Sequence, residues 1–120
     1  MANKGKKVIS LAQDFSRHPG PRFVNQGPHS GERFRRVLVK ALSEYERIVV
    51  DLDGTTGIGS SFLDEAFGGL IFAEGMSKQE VERRVEIKSI IDSSYKITVS
   101  DALRLAEPMQ KRTPSSAHTR

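Results

Sequence analysis

The chain has no cysteine. That absence removes disulfides, thiolate catalysis and cysteine-ligated zinc together, and it fits a reducing cytoplasm. No apolar run approaches the ~20 residues that a membrane-crossing helix needs. The first fifteen residues, MANKGKKVISLAQDF, carry lysines but no apolar core of a signal peptide. No glycine-rich nucleotide loop with a following lysine occurs. The three histidines, His18, His29 and His118, share no metal-ligand spacing, so neither a metal nor a cofactor is expected. Between Ile48 and Gly75 there is no basic residue, although the whole chain has a formal charge of +4.

The 120 residues suffice for one domain with one core. Charge is divided unevenly along them. Ten basic and four acidic residues precede Ile48, five acids (Asp51, Asp53, Asp64, Glu65, Glu74) occupy the segment without bases, and Lys111, Arg112 and Arg120 make a basic tail. A phosphate-rich ligand would be repelled by the acidic segment unless a cation or a helix terminus intervened. Arg22, Arg33, Arg35 and Arg36 with His18 and His29 form either an anion site or, on the simpler reading, a solvated basic face. Nucleic-acid binding would require aromatic residues interleaved with the bases, and only Phe23 and Phe34 are near.

Val8 to Leu11 reads as a short buried strand. The sixteen residues from Ser16, SRHPGPRFVNQGPHSG, hold three prolines and three glycines and read as a structured loop. From Ser30 the period changes: Phe34, Val37, Leu38, Ala41, Leu42 and Tyr45 share one helical face, with Ser30 as N-cap and Glu32 in the first turn. Ile48 to Leu52 reads as a buried strand, and Asp53-Gly54 as the turn that ends it. Ser60 or Ser61 then caps a helix striped by Phe62, Leu63, Ala66, Phe67 and Leu70. Ser61 and Asp64 have the spacing of a capping box, and Gly68-Gly69 implies close packing against the sheet. Ser77 to Glu80 is a full capping box, Val85 to Lys88 alternates like a strand, and Tyr95, Val99, Ala102, Leu103 and Ala106 mark a last helix that Pro108 ends. Residues 1–107 form the expected domain and 108–120 a disordered basic tail. Alternating strands and helices imply an α/β layer architecture with a partly parallel sheet, and sites in such sheets gather beyond the carboxyl ends of the strands.

Two chemistries compete at that position. IVVDLDGTT resembles the opening motif of the haloacid dehalogenase superfamily. The resemblance implies a Mg²⁺-dependent aspartyl phosphatase with Asp51 as nucleophile and Asp53 as general acid/base. That superfamily also needs a downstream lysine and a paired acidic motif; in the 67 residues after Asp53 the aspartates of IIDSSY and SDALRL are isolated, and Lys78 and Lys88 have no clear claim to the lysine role. The simpler alternative is that Asp51 satisfies loop amides and Asp53-Gly54 makes the turn.

The stretches HPGPR at 18–22, GPHSGERFR at 27–35 and LDGTTGIGSSFLDEAFGGL at 52–70 resemble the STAS-like bacterial domains of unknown function, relatives of the anti-sigma-factor antagonists. The resemblance implies a STAS-like α/β fold, a small mixed sheet with helices packed against it, that serves as a docking surface for a protein partner. It also places Ser60 at the antagonists' phosphoacceptor position, with Gly59 where their motif has Asp and Phe62 where it has Gly. Expected partners are a histidine-kinase-like ATPase or a serine protein kinase. The expected contact residues are Ser60, Ser61, Asp53, Gly59 and Asp64. The expected surface is the loop from Asp53 to Gly59 with the exposed side of the helix from Ser60 to Leu70. A phosphate on Ser60 would add repulsion to an acidic edge and oppose a partner's acidic rim. The expectation is thus a cytoplasmic, non-enzymatic regulatory module. The aspartyl phosphatase and a basic nucleic-acid accessory protein remain as alternatives.

Overall fold

The computed structural model describes residues 5–117. Strand β1 (Lys6–Ser10) leads into a π-helical turn over Leu11–Phe15, whose start Ser10 caps by accepting the Gln13 amide. After a loop containing one 3-10 turn (Val24–Gln26) come helix α1 (Gly31–Glu44) and strand β2 (Arg47–Asp51). Helix α2 (Ser60–Leu63), a π-helical turn (Asp64–Gly68) and helix α3 (Gly69–Phe72) follow without a break. Helix α4 (Lys78–Arg84), strand β3 (Val85–Lys88) and helix α5 (Ser94–Ala117) complete the order. The α/β class read from the pattern is the one observed.

The sheet has the order β1-β2-β3 and every pairing is parallel, so it is not the mixed sheet expected. Each strand pair is separated by a helical crossover, and a crossover joins parallel neighbours. Ile9 lies beside Val50 and Val50 beside Ile87, with Ile48 beside Val85 one row away. These rows face the helices: Ile9, Ile48, Val50 and Val85 belong to the core with Phe34, Phe62, Phe67 and Leu70. The row between them, Val8, Val49 and Glu86, points the other way, and Val8 is 57% exposed.

Phe34 is the centre of the core, with Phe15, Phe62 and Phe67 rings at 5.1, 5.9 and 6.3 Å from its own. The helical stretch 60–72 is enclosed on nearly all sides, and from Phe62 to Ile71 only Asp64 escapes burial. Small residues make this possible, though not by packing on the sheet as expected. A Cβ on Gly69 would stand 2.5 Å from the Arg35 guanidinium of α1, and one on Gly68 would stand 3.2 Å from the Ala102 carbonyl of α5. A Cβ on Gly31 would collide with the carbonyl oxygen of Phe62.

Two ends differ from the sequence reading. Ser30 caps α1 and Ser77 caps α4 through their hydroxyls, but Gly59, not Ser61, occupies the N-cap of α2. Gly59 holds extended dihedrals and Ser60 is already helical, so Ser61 falls inside the first turn, where its hydroxyl no longer stands at the cap. Helix α5 also continues through Pro108 to Ala117, where the reading ended it and began a disordered tail. A proline withdraws one amide and crowds the preceding turn, a local cost that weakens a helix without having to terminate it. The last three residues of that expected tail lie outside the described residues.

Candidate functional site

Beyond the carboxyl end of β2, the chain from Asp53 to Gly59 forms a loop that three neighbouring segments hold in place. Asp51 starts it: its Oδ1 accepts the Asp53 amide at 2.9 Å, an Asx turn, while its Oδ2 lies 3.6 Å from Lys88 Nζ. Asp53 accepts the Ile90 amide on both carboxylate oxygens, at 3.0 and 3.1 Å, and the Ile91 amide at 2.9 Å. Gly54 turns the chain with a φ of 94°, a conformation that side chains rarely take. The Thr56 amide donates to the Arg17 carbonyl at 2.8 Å, and His18 Nδ1 lies 3.2 Å from Thr56 Oγ1. The Ile58 amide donates to the Tyr95 hydroxyl oxygen at 3.1 Å. Segments 16–18, 53–59 and 89–92 therefore form one braced rim.

This arrangement spends the two carboxylates of the DLDGT motif on backbone amides. Their partners differ, the Asp53 amide and Lys88 for Asp51 and the Ile90 and Ile91 amides for Asp53, and among the described residues no group of three or more His, Asp or Glu is placed to hold a metal ion. The bracing also has a product that the sequence reading missed. Ile90 and Ile91 are presented at 75% and 80% exposure, on a loop whose amides Asp53 fixes. The signal was present as an apolar pair in a polar stretch, but nothing local distinguished it from the end of a buried strand.

Ser60 is exposed at the first residue of α2, and Ser61 is half-buried beside it. Four residues on, Asp64 Oδ2 accepts from Arg22 Nη1 at 2.7 Å, so Asp64 anchors the proline-rich loop and does not complete a capping box. Arg22 also reaches Glu65 Oε1 at 3.5 Å. The hydrogen bond from Arg22 to Asp64 raises the arginine's already high pKa against the opposing effect of burial. Glu65 in turn takes Arg35 Nη1 at 2.7 Å, and Arg35 Nε reaches Glu74 Oε2 at 3.0 Å.

The basic cluster around α1 thus separates into different roles. Arg35 and Glu65 are buried, at 8% and 5% exposure, so Arg35 belongs neither to an anion site nor to a solvated face. Arg33 and Arg36 are exposed. Of the helix surface expected to meet a partner, only Ser60, Ser61 and Asp64 near its start are accessible, because α1 and α5 cover the remainder up to Leu70.

Among the described residues no helix is long and apolar enough to cross a membrane. Neither the curated proteins nor the solved structures give a match to the chain. A family does: residues 30–95, more than half of the chain and the part that contains Ser60 and the rim segments 53–59 and 89–92, match the STAS-like domain of unknown function (DUF4325). The chain belongs to that family.

Proposed function

We propose that the chain is a non-enzymatic, cytoplasmic regulatory module that binds a protein partner through the rim formed by segments 53–59 and 89–92. The observation that carries this reading is the pair Ile90 and Ile91, three-quarters or more of each exposed and held by Asp53. Exposed apolar side chains on an ordered scaffold cost solvation in the free protein, and contact with a partner recovers it. Membership of a STAS-like family agrees with an interaction role. Asp51 and Asp53 are engaged as braces, so nothing favours the phosphatase alternative, and no observation favours nucleic-acid binding.

Within this reading Ser60 is the control point. Its hydroxyl is exposed and it shares a groove with Asp64 and Arg22, so a phosphate placed there changes the charge that a partner meets. A histidine-kinase-like ATPase or a serine protein kinase is the partner class proposed for that modification.

The test is photo-crosslinking in cells from a reactive side chain at position 91, compared with one at position 40 on the exposed face of α1. One protein captured from position 91 alone, and lost when Ile90 becomes Ser, supports the module. Equal capture from both positions, or none from 91, sinks it. Ser60→Asp and Ser60→Ala are then compared in the same assay, and identical recovery from both removes Ser60 from the mechanism.

A further inference from the structure

A second surface runs beside the rim, along the flank of α5 that carries Thr98, Ala102 and Leu105. Two adjoining hollows form one groove there, because both are lined by Arg22, Asp64 and Leu105. One end is polar, with Ser60, Thr98 and Asp101. The other is apolar, with Phe23, Phe72 and Leu105, of which Phe23 and Leu105 are 43% and 59% exposed. Thr98 and Leu105 are seven residues apart on one helix, which sets about 10 Å between the two ends.

The accessible charges in this groove lean the other way from those of the chain. Asp64 and Asp101 line it with one guanidinium, that of Arg22, while the buried Glu65 is taken up by Arg35, in a protein of formal charge +4. Arg22 is engaged by Asp64 and Glu65. Among the described residues Asp101 pairs with Arg104, at 3.3 Å, and both side chains are more than half exposed, so that pair exchanges readily for a better one. The builders of the groove come from both sides of the family match. Arg22 and Phe23 precede the matched segment and Thr98 to Leu105 follow it, and together they wall in the Ser60 and Asp64 that lie within it.

We propose that this groove docks a segment of the protein partner that carries a bulky apolar side chain and, about 10 Å from it, a lysine or arginine. The apolar group sits between Phe23 and Leu105, and the cation lies between Asp64 and Asp101, the arrangement by which an amphipathic helix is read in a groove. The inference rests on the protein-binding reading above and specifies the partner's chemistry. It also sets the sign of a charge at Ser60: a phosphate there strengthens attraction to this segment.

The experiment uses the full chain and two synthetic alanine-based peptides of about twelve residues, with leucines at one end and lysines two helical turns away, or glutamates in place of the lysines. Backbone amide shifts are followed during titration at low salt. The lysine peptide is expected to shift Phe23, Ser60, Thr98 and Leu105, with affinity falling roughly tenfold in Leu105→Asp and severalfold in Asp101→Lys. Both positions are exposed, so folding is retained, and Phe23→Ser provides a second apolar test. Equal or tighter binding of the glutamate peptide, shifts confined to other surfaces, or no binding by either peptide overturns the proposal. So do shifts at these residues that grow with protein concentration alone, which would assign the groove to a second copy. Capture from position 91 beside a failed peptide series refutes the groove and leaves the module standing, whereas failed capture beside successful peptides does the reverse.

Discussion

Asp53 and Ile90 stand 37 residues apart in sequence and meet through one carboxylate, both of whose oxygens lie within 3.1 Å of the isoleucine amide. Asp53→Ala removes this brace and that of Ile91, at a cost of about 1–2 kcal/mol for hydrogen bonds to a charged, partly solvated acceptor. Asp53→Asn keeps one acceptor and recovers part of the loss. Urea midpoints read the stability, and hydrogen exchange at the Ile90 and Ile91 amides reads the loop. Unchanged protection of those two amides in Asp53→Ala would show that the carboxylate does not hold them.

The same geometry bears on hydrolysis. Because the Asp51 and Asp53 side chains serve backbone amides and Lys88, the expected rate on a generic phosphomonoester with Mg²⁺ is the buffer rate. A Mg²⁺-dependent rate abolished by Asp51→Asn would restore the aspartyl phosphatase alternative.

Arg35 and Glu65 form the buried ionic link between α1 and the π-helical turn. Removing one partner leaves an uncompensated charge in the core, so Arg35→Ala is expected to lose about 3–5 kcal/mol. Replacing both, as Arg35→Met with Glu65→Met, removes the stranded charge and costs less than the single change. Chemical denaturation of the three proteins decides it, and a double variant weaker than Arg35→Ala would contradict the assignment.

Glycines separate packing from capping. Gly31→Ala drives a methyl into the Phe62 carbonyl and costs about 1–3 kcal/mol as the helices part. Gly59 has open space and N-cap dihedrals (φ −73°, ψ 151°) but no side chain to accept an amide. Gly59→Ser supplies that acceptor and lowers the entropy of the unfolded chain, so a gain of about 0.5–1 kcal/mol is expected. Thermal midpoints that move in the same direction for both variants would refute the distinction.

Arg84 closes the C-terminal end of α1. Its Nη2 donates to the carbonyls of Leu42 and Tyr45 at 2.7 and 3.0 Å, and its Nε donates to that of Glu46 at 2.9 Å. Arg84→Ala is expected to cost about 1–2 kcal/mol, and Arg84→Lys to recover only a fraction, since an ammonium lacks the fork that reaches several carbonyls. Full recovery by lysine, read from denaturation curves, would reduce the contact to simple charge.

Much of the architecture was legible because period and caps are local signals. The stripe from Phe34 to Tyr45, the alternation at Val85 to Lys88 and the hydroxyls of Ser30 and Ser77 need only neighbouring residues to be understood. What could not be read depends on distant partners. Arg35 looks like any helix-surface arginine until Glu65 and Glu74 arrive from other elements. The parallel pairing of all three strands, likewise, is settled by crossovers between segments. Ser61 failed as a cap because helix entry lies two residues earlier, at Gly59, a shift that periodicity does not resolve. The apolar pair at 90–91 was hidden for the opposite reason: isoleucine normally announces burial, and only the Asp53 brace reveals that these two face water.

The borders of the family match cut through the core. Ile9 and Leu11 lie before residue 30, and Val99, Leu103 and Ala106 lie after residue 95, yet all five belong to the same buried cluster. A fragment trimmed to 30–95 would strip one edge of β2 and uncover the helical stretch 60–72 along the side that α5 now shields. Such a piece would expose apolar surface that the whole chain keeps from water. The flanks outside the recognised segment therefore carry a double duty: a change at Ile9, Leu11, Val99, Leu103 or Ala106 acts on the shared interior as well as on the surface beside it.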